Sequence, residues 1–265
     1  MNTELIKSYN EIQEEYRLQS SLARKVEFIS TSETLTKYIS KDSRILDIGC
    51  GAGLYSIYFS RICKETVALD IVPKHIKLLK ADIESKGLNI SAFVGDARNL
   101  KGIDSKHFDV VLCLGPLYHL TNSNDREKCI EECIRVTKHG GFIAVAYISP
   151  LSVFPCVIRG DINRISDSLY TKILDNKFID SNDDECFWTD NNYYTPDEIE
   201  TFLKNEGLEI VDHLATDGQS IGFQSMINTM NEEQFDIWLN YHRKICRNRS
   251  ILGISNHGLI IAKRL

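Results

Sequence analysis

The chain has 265 residues, 43% apolar and 26% charged, which excludes a disordered, collagenous or coiled-coil protein and leaves one large or two small folded domains. A formal net charge of −6 gives no pull toward phosphate backbones or anionic lipid, so neither nucleic acid nor a membrane is an expected partner. Eight cysteines run from Cys50 to Cys246 without a CxxC pair, the pattern of free thiols in a reducing compartment.

The start, MNTELIKSYNEIQEEYR, carries acidic residues and no apolar run, so no secretory signal is read there. Residues 4 to 39 then predict two amphipathic helices, with Leu5, Ile6, Tyr9 and Ile12 on one face and Val26, Phe28, Ile29, Leu35, Tyr38 and Ile39 recurring at helical spacing. From residue 44 short apolar runs alternate with helices. RILDIG is followed by a predicted helix from about Leu54 to Ile62, then ETVALD, then a helix from Pro73 to Lys86 with Gly87 as its stop. ISAFVG and FDVVLCL come next. Asn124 and Glu127 resemble a capping pair for a helix whose apolar stripe is Cys129, Ile130, Cys133 and Ile134, where buried thiols are expected and no metal site. Gly140 and Gly141 lead into FIAVAYI. The stretch Phe142 to Ile158 is interrupted by Pro150 and Pro155, which argues against a membrane span, and the protein is expected to be cytoplasmic. Thr195, Pro196 and Glu198 form a capping box, the helix ends by Gly207, and LEIVDHL and HGLIIAKR are the last two strands.

Apolar strands separated by helices predict the doubly wound α/β class, a mostly parallel sheet covered on both faces. The stretches 149–194 and 215–257 are too long for plain connections and are expected to build a cap over the carboxyl edge of the sheet. Residues 1–40 would then be a helical lid on a main domain of residues 41–265.

The first strand-to-helix turn reads Asp47-Ile48-Gly49-Cys50-Gly51-Ala52-Gly53-Leu54. A dinucleotide fingerprint is GxGxxG, but Leu54 stands where its third glycine belongs; the pattern is GxGxG after a strand-borne acid, which weakens a pyrophosphate reading. Asp70, 19 residues beyond Gly51, closes the second strand, where a carboxylate accepts the hydroxyls of a ribose. Asp96 closes the third and is placed to accept an exocyclic amine. Together they predict a nucleoside ligand without a diphosphate.

DIGCGAG, VALD, VGDAR and LGPLYHL, in that order, resemble a class I S-adenosylmethionine-dependent methyltransferase over roughly residues 40 to 148, and RKVEFIST, DGQSIGF and HGLIIAKR are similar to bacterial small-molecule methyltransferases. The resemblance implies a seven-stranded sheet of order 3-2-1-4-5-7-6, S-adenosylmethionine as cofactor and a small-molecule acceptor. It places Gly49, Gly51 and Gly53 at the methionine part, Asp70 at the ribose, and Asp96 with Ala97 at the adenine. Asp47, Cys50, Ile71 and Leu114 complete the candidate cofactor set. Tyr9, Tyr16, Arg17 and Arg24 either fold over the cofactor or are a solvated helix face; Tyr16 and Arg24 are carried as candidates. Methyl transfer from a sulfonium is an in-line displacement in which positioning supplies most of the acceleration. A base is needed only for some acceptors. His119, with Tyr118 beside it, is the candidate base or acceptor-orienting group, against a histidine merely tied to backbone. Amino-directed DNA methylation ranks lower, because Leu114-Gly115-Pro116-Leu117 replaces the Asn/Asp-Pro-Pro-aromatic motif. A non-catalytic cofactor-binding module and a dehydrogenase are the remaining rivals.

Overall fold

The computed structural model describes residues 3–11 and 14–265, with the side chains of residues 4–10 and 17–265. Helix α1 (Thr3–Glu11), a 3-10 turn over Glu14–Gln19 and α2 (Leu22–Leu35) precede β1 (Arg44–Ile48). The chain continues through α3 (Leu54–Phe59), β2 (Glu65–Asp70), α4 (Pro73–Lys86), β3 (Ile90–Val94), β4 (Phe108–Cys113), α5 (Pro116–His119), α6 (Ser123–Val136) and β5 (Thr137–Ile148). In the first insert lie α7 (Pro150–Gly160), α8 (Asp167–Thr171) and a two-residue ladder pairing Phe178–Ile179 with Asn191–Asn192. Then come α9 (Pro196–Asn205), β6 (Leu208–Ala215), α10 (Gln224–Ile227), α11 (Glu232–Ile245), α12 (Arg249–Ile254) and β7 (His257–Arg264).

The main sheet has the order β3-β2-β1-β4-β5-β7-β6, which is the order the resemblance implies; only β7 is antiparallel to both of its neighbours. The buried strands explain this arrangement. In β1, Ile45, Leu46 and Ile48 are fully buried, because successive side chains enter opposite faces and each face is covered by helices. Leu46, Ile48, Val111, Ile143 and Ile260 meet α6 and α9 through Cys129, Ile130, Cys133, Ile199 and Leu203. Ile45, Val110, Leu112 and Ile261 meet Leu35, Phe59 and Leu252 on the other side.

Local signals act where backbone donors need partners. The capping box at Thr195 and Glu198 is present, and Gly87 ends α4 in the left-handed region. Two boundaries differ from expectation. Helix α3 stops at Phe59, three residues short of Ile62, as Ile62 and Cys63 donate back to the carbonyl of Phe59 in a closing turn. Helix α6 begins at Ser123, because the side chain of Asn122, not Asn124, accepts from a helix N–H.

The first insert has its own core of Val153, Leu169, Ile173, Ile179 and Tyr193, packed beneath Ile148 at the end of β5. In the second, Ile227, Phe235 and Leu239 pack on Ala23 and Val26 of α2. Among the described residues no helix is long and apolar enough to cross a membrane.

Candidate active site

The chain lays β1, β2 and β3 outward in one direction and then returns to place β4 against the free side of β1, with Ile48 beside both Leu69 and Cys113. Connections leave the strand ends in opposite directions at that point, which opens a crevice between β1 and β4. A cavity of about 900 Å³ occupies it.

The turn after β1 forms its floor. Gly49 and Gly51 have φ of +69° and +56°, conformations that side chains rarely adopt. A Cβ on Gly49 would lie 2.7 Å from the ring of Pro116, whereas one on Gly51 would meet nothing within 4 Å and would project into open space. Gly53 lies behind the loop, where Leu79 of α4 leaves no room for a side chain. Asp47, beneath the turn, accepts from the hydroxyl of Ser56 at 2.6 Å, and burial pushes its carboxyl up to about 7. Cys50, Ile71, Ala97 and Leu114 also line the cavity.

Asp70 does more than the sequence pattern suggests. Its Oδ2 accepts from the Gly51 N–H at 2.8 Å, and its Oδ1 accepts from the Val72 N–H at 2.8 Å and lies 3.3 Å from His75 Nδ1. Three donors therefore hold the carboxylate, which ties the β1 turn to the β2 turn and leaves one acceptor position, on Oδ2, for a ligand hydroxyl. The sequence pattern expected it to receive both ribose hydroxyls. Its partner His75 is buried and lines the cavity with Nε2 unpartnered. That orphaned atom and the open space over Gly51 suit a ligand with ribose-like hydroxyls and a thin chain. The carboxylate of Asp96 is bonded by Arg98 through both Nε and Nη2, and Arg98 reaches on to Asp125 at 2.6 Å. Burial raises the Asp96 carboxyl, but the Arg98 bonds outweigh it and hold it below the usual range.

The segment after β4 forms the opposite wall. His119 Nδ1 is 2.9 Å from the carbonyl of Asp190, which only accepts; the ring therefore donates there, and its Nε2 accepts from the Tyr9 hydroxyl at 2.8 Å. Burial lowers the imidazole to about 4, against the two Asp190 effects and the charge of Asp70, so it is neutral at pH 7. Tyr9 brings α1 into the site, with its ring edge-on to His75, His119 and Trp188 at 5.2, 5.6 and 5.4 Å. Tyr118 stands beside His119 and lines the same cavity.

The N-terminal arginines separate. Arg17 forms a bidentate pair with Glu27 at 2.7 and 2.9 Å and lines the cavity. Arg24 lies instead on the wall of a neighbouring chamber of about 810 Å³. The side chain of Tyr16 lies outside the described residues. Glu27 is further held by His257, whose Nδ1 is 2.9 Å from Asp217. Sequence reading assigned no role to Glu27, Asp217 or His257, which stand in different elements with no shared spacing. Away from the site, the thiols of Cys113, Cys129 and Cys133 lie within 4.8 Å of one another in the core.

A crevice beside β1, a GxGxG turn and acids ending β2 and β3 define one class of protein. The chain carries a methyltransferase domain on the fold of the class I S-adenosylmethionine-dependent methyltransferases. Residues 45–141 match the family model of a methyltransferase domain. A ubiquinone biosynthesis O-methyltransferase of Xanthomonas euvesicatoria is 24% identical over 188 residues, covering 71% of this chain and 70% of that protein. One bearing the same name from Maricaulis maris is 34% identical over 109 residues, 41% of this chain and 42% of that one. Further proteins of that name, from Xanthomonas and Xylella, are matched over less than two thirds of their own length. Among solved structures, an S-adenosylmethionine-dependent methyltransferase from Clostridium acetobutylicum superposes with a TM-score of 0.60 at 15% identity, over 97% of this chain and 98% of that one, a likeness of fold.

Proposed function

We propose that the chain transfers a methyl group from S-adenosylmethionine to a hydroxyl of a small molecule in the cytoplasm. The observation that carries the proposal is the junction of the two cavities. The larger holds the glycine turn and both aspartates, the smaller lies under the first insert, and Tyr118, Arg17 and His257 line both. Each volume is within the roughly 300–1,000 Å³ that buries a small molecule. Oxygen as the acceptor atom is supported by the O-methyltransferase names of the curated relatives.

In this reading Gly49, Gly51 and Cys50 hold the methionine arm, Asp70 and His75 the ribose, and Asp96, Ala97 and Ile71 the adenine. When bound, the cofactor supplies a methyl group on a good leaving group. The protein's task is then to exclude water and align the acceptor. His119, held neutral and with its tautomer fixed by Asp190, exchanges its Tyr9 partner for an acceptor hydroxyl and takes its proton at Nε2.

Calorimetry and a methyl-transfer screen test this. S-adenosylmethionine and S-adenosylhomocysteine bind and NAD does not, Asp70→Ala loses the binding, and small hydroxylated metabolites yield S-adenosylhomocysteine. Binding of NAD alone would make the chain a dehydrogenase; cofactor binding with no turnover on any metabolite would favour a sensing module.

A further inference from the structure

Three guanidinium groups around the smaller chamber form no ion pair with a carboxylate among the described residues. Arg24 of α2 has no side-chain hydrogen-bond or ion-pair partner among the described residues, and the carboxylate its charge reaches is Glu27, which Arg17 already pairs. Arg159, at the end of α7, donates to the carbonyl of Ile221, and Arg164 donates to the carbonyl of Cys186 at 3.5 Å. All three line the chamber, as does Arg17, whose charge is met by Glu27. Among the described residues the one acid lining it is Asp161, and its Oδ1 is occupied in accepting from the backbone and side chain of Asn163. Such a local surplus of cations runs against the net charge of −6 carried by the chain. Guanidinium groups gathered on a concave wall with no paired counter-ion among the described residues suit an oxyanion, which their planar fork meets through paired hydrogen bonds.

A second observation points to a ligand in the same place. Trp188 Nε1, Asn191 Oδ1 and the hydroxyl of Tyr193 are buried and unpartnered, and all three residues line this chamber. Buried polar groups are rarely left without a partner, so three together mark where a polar molecule would restore the missing bonds. The remaining wall is aromatic and aliphatic, with Tyr118, Phe187, Val153 and Val157.

Taking the methyltransferase reading as given, we infer that the acceptor is an organic acid, its carboxylate or phosphate held by Arg24, Arg159 and Arg164 and its ring or chain lying between Tyr118 and Trp188. The oxyanion end would then sit away from the junction, with the hydroxyl directed toward His119. Selection among acceptors falls to the chamber arginines, since a neutral analogue leaves them uncompensated.

The test uses the full-length protein saturated with S-adenosylhomocysteine, titrated with 4-hydroxybenzoate, 4-hydroxyphenyl phosphate and the neutral 4-hydroxybenzamide. At least one anion binds about tenfold or more tightly than the amide, and the preferred one identifies carboxylate or phosphate as the recognised group. Arg24→Gln and Arg164→Gln each weaken anion binding about tenfold and keep the melting temperature and the affinity for S-adenosylhomocysteine. Equal binding of acid and amide, or no binding of either anion, overturns the inference. So does an Arg24→Gln variant that loses S-adenosylhomocysteine but keeps the anion, for that arginine would then belong to the cofactor. The same titrations without S-adenosylhomocysteine decide the anion question even where the cofactor itself fails to bind, which separates this inference from the methyltransferase reading.

Discussion

Gly49 and Gly51 share a backbone requirement but stand in different surroundings, and their alanine variants should fail differently. At Gly51 the added methyl meets nothing, so the variant bears only the left-handed strain, roughly 1–2 kcal/mol, while the methyl occupies ligand space. Its melting temperature should fall slightly and its affinity for S-adenosylhomocysteine strongly. At Gly49 the methyl drives into Pro116 at the start of α5, so differential scanning calorimetry should record a larger fall and His119 should be displaced with its helix. Equal effects at both positions would contradict this assignment. His119 gives a second expectation. Burial holds its pKa near 4, below the ordinary value of about 6.5, so the neutral imidazole persists as pH falls well below neutrality. The pH profile of kcat/KM should therefore show no acidic inflection near 6.5, and one found there that vanishes in His119→Asn would refute the buried, neutral assignment. The same shift enters stability. A lowered histidine contributes fully above 6.5, and that contribution is lost as pH falls toward 4.

Between elements, the 3-10 turn, α2 and β7 are joined by an alternating row of charges, Arg17, Glu27, His257 and Asp217. Burial alone would raise Glu27, but Arg17 and His257 outweigh it and bring the carboxyl down to about 2. Stability from this acid is present above its unfolded value of 4.5 and disappears only as pH falls through about 2. His257 shows the opposite sign. Burial disfavours its charge, yet Glu27 and Asp217 prevail and raise its pKa, so its contribution is complete below 6.5 and is lost as pH rises through the raised value. Glu27→Gln breaks the bidentate pair with the Arg17 guanidinium, a loss of about 3–5 kcal/mol for a broken buried pair. Chemical denaturation should record it at pH 7, and amide exchange in residues 17–35 should quicken more than in β1. Unchanged exchange there would mean that the row does not anchor the N-terminal segment.

Across the whole molecule, the last strand in sequence is an interior strand of the sheet and not its edge. β7 lies between β5 and β6, with Leu259, Ile260, Ile261 and Ala262 fully buried and supplying both faces of the core. Ile260→Asp should therefore abolish the folded state by circular dichroism, whereas Val94→Asp, on the half-exposed edge strand β3, should leave it intact. Ligand linkage also acts on the entire fold. S-adenosylhomocysteine at a hundred times its Kd should add about 2.7 kcal/mol to unfolding, and a melting temperature that does not move would deny it a site in the native protein.

What the sequence determined alone lies where a physical requirement is local. Apolar runs of five or six residues specify buried parallel strands, the Thr195–Glu198 pair specifies a helix start, and glycines in DIGCGAG specify a turn too tight for side chains, so the sheet, the crevice and Asp70 were legible without coordinates. The tertiary structure alone decided which groups face one another across the chain. His75 meets Asp70, Tyr9 and Asp190 fix His119, Glu27 joins Arg17 to His257, and Arg24 turns to the second chamber instead of the first. Such contacts arise between elements brought together by packing. Their spacing in sequence is arbitrary, and no periodicity or motif encodes it.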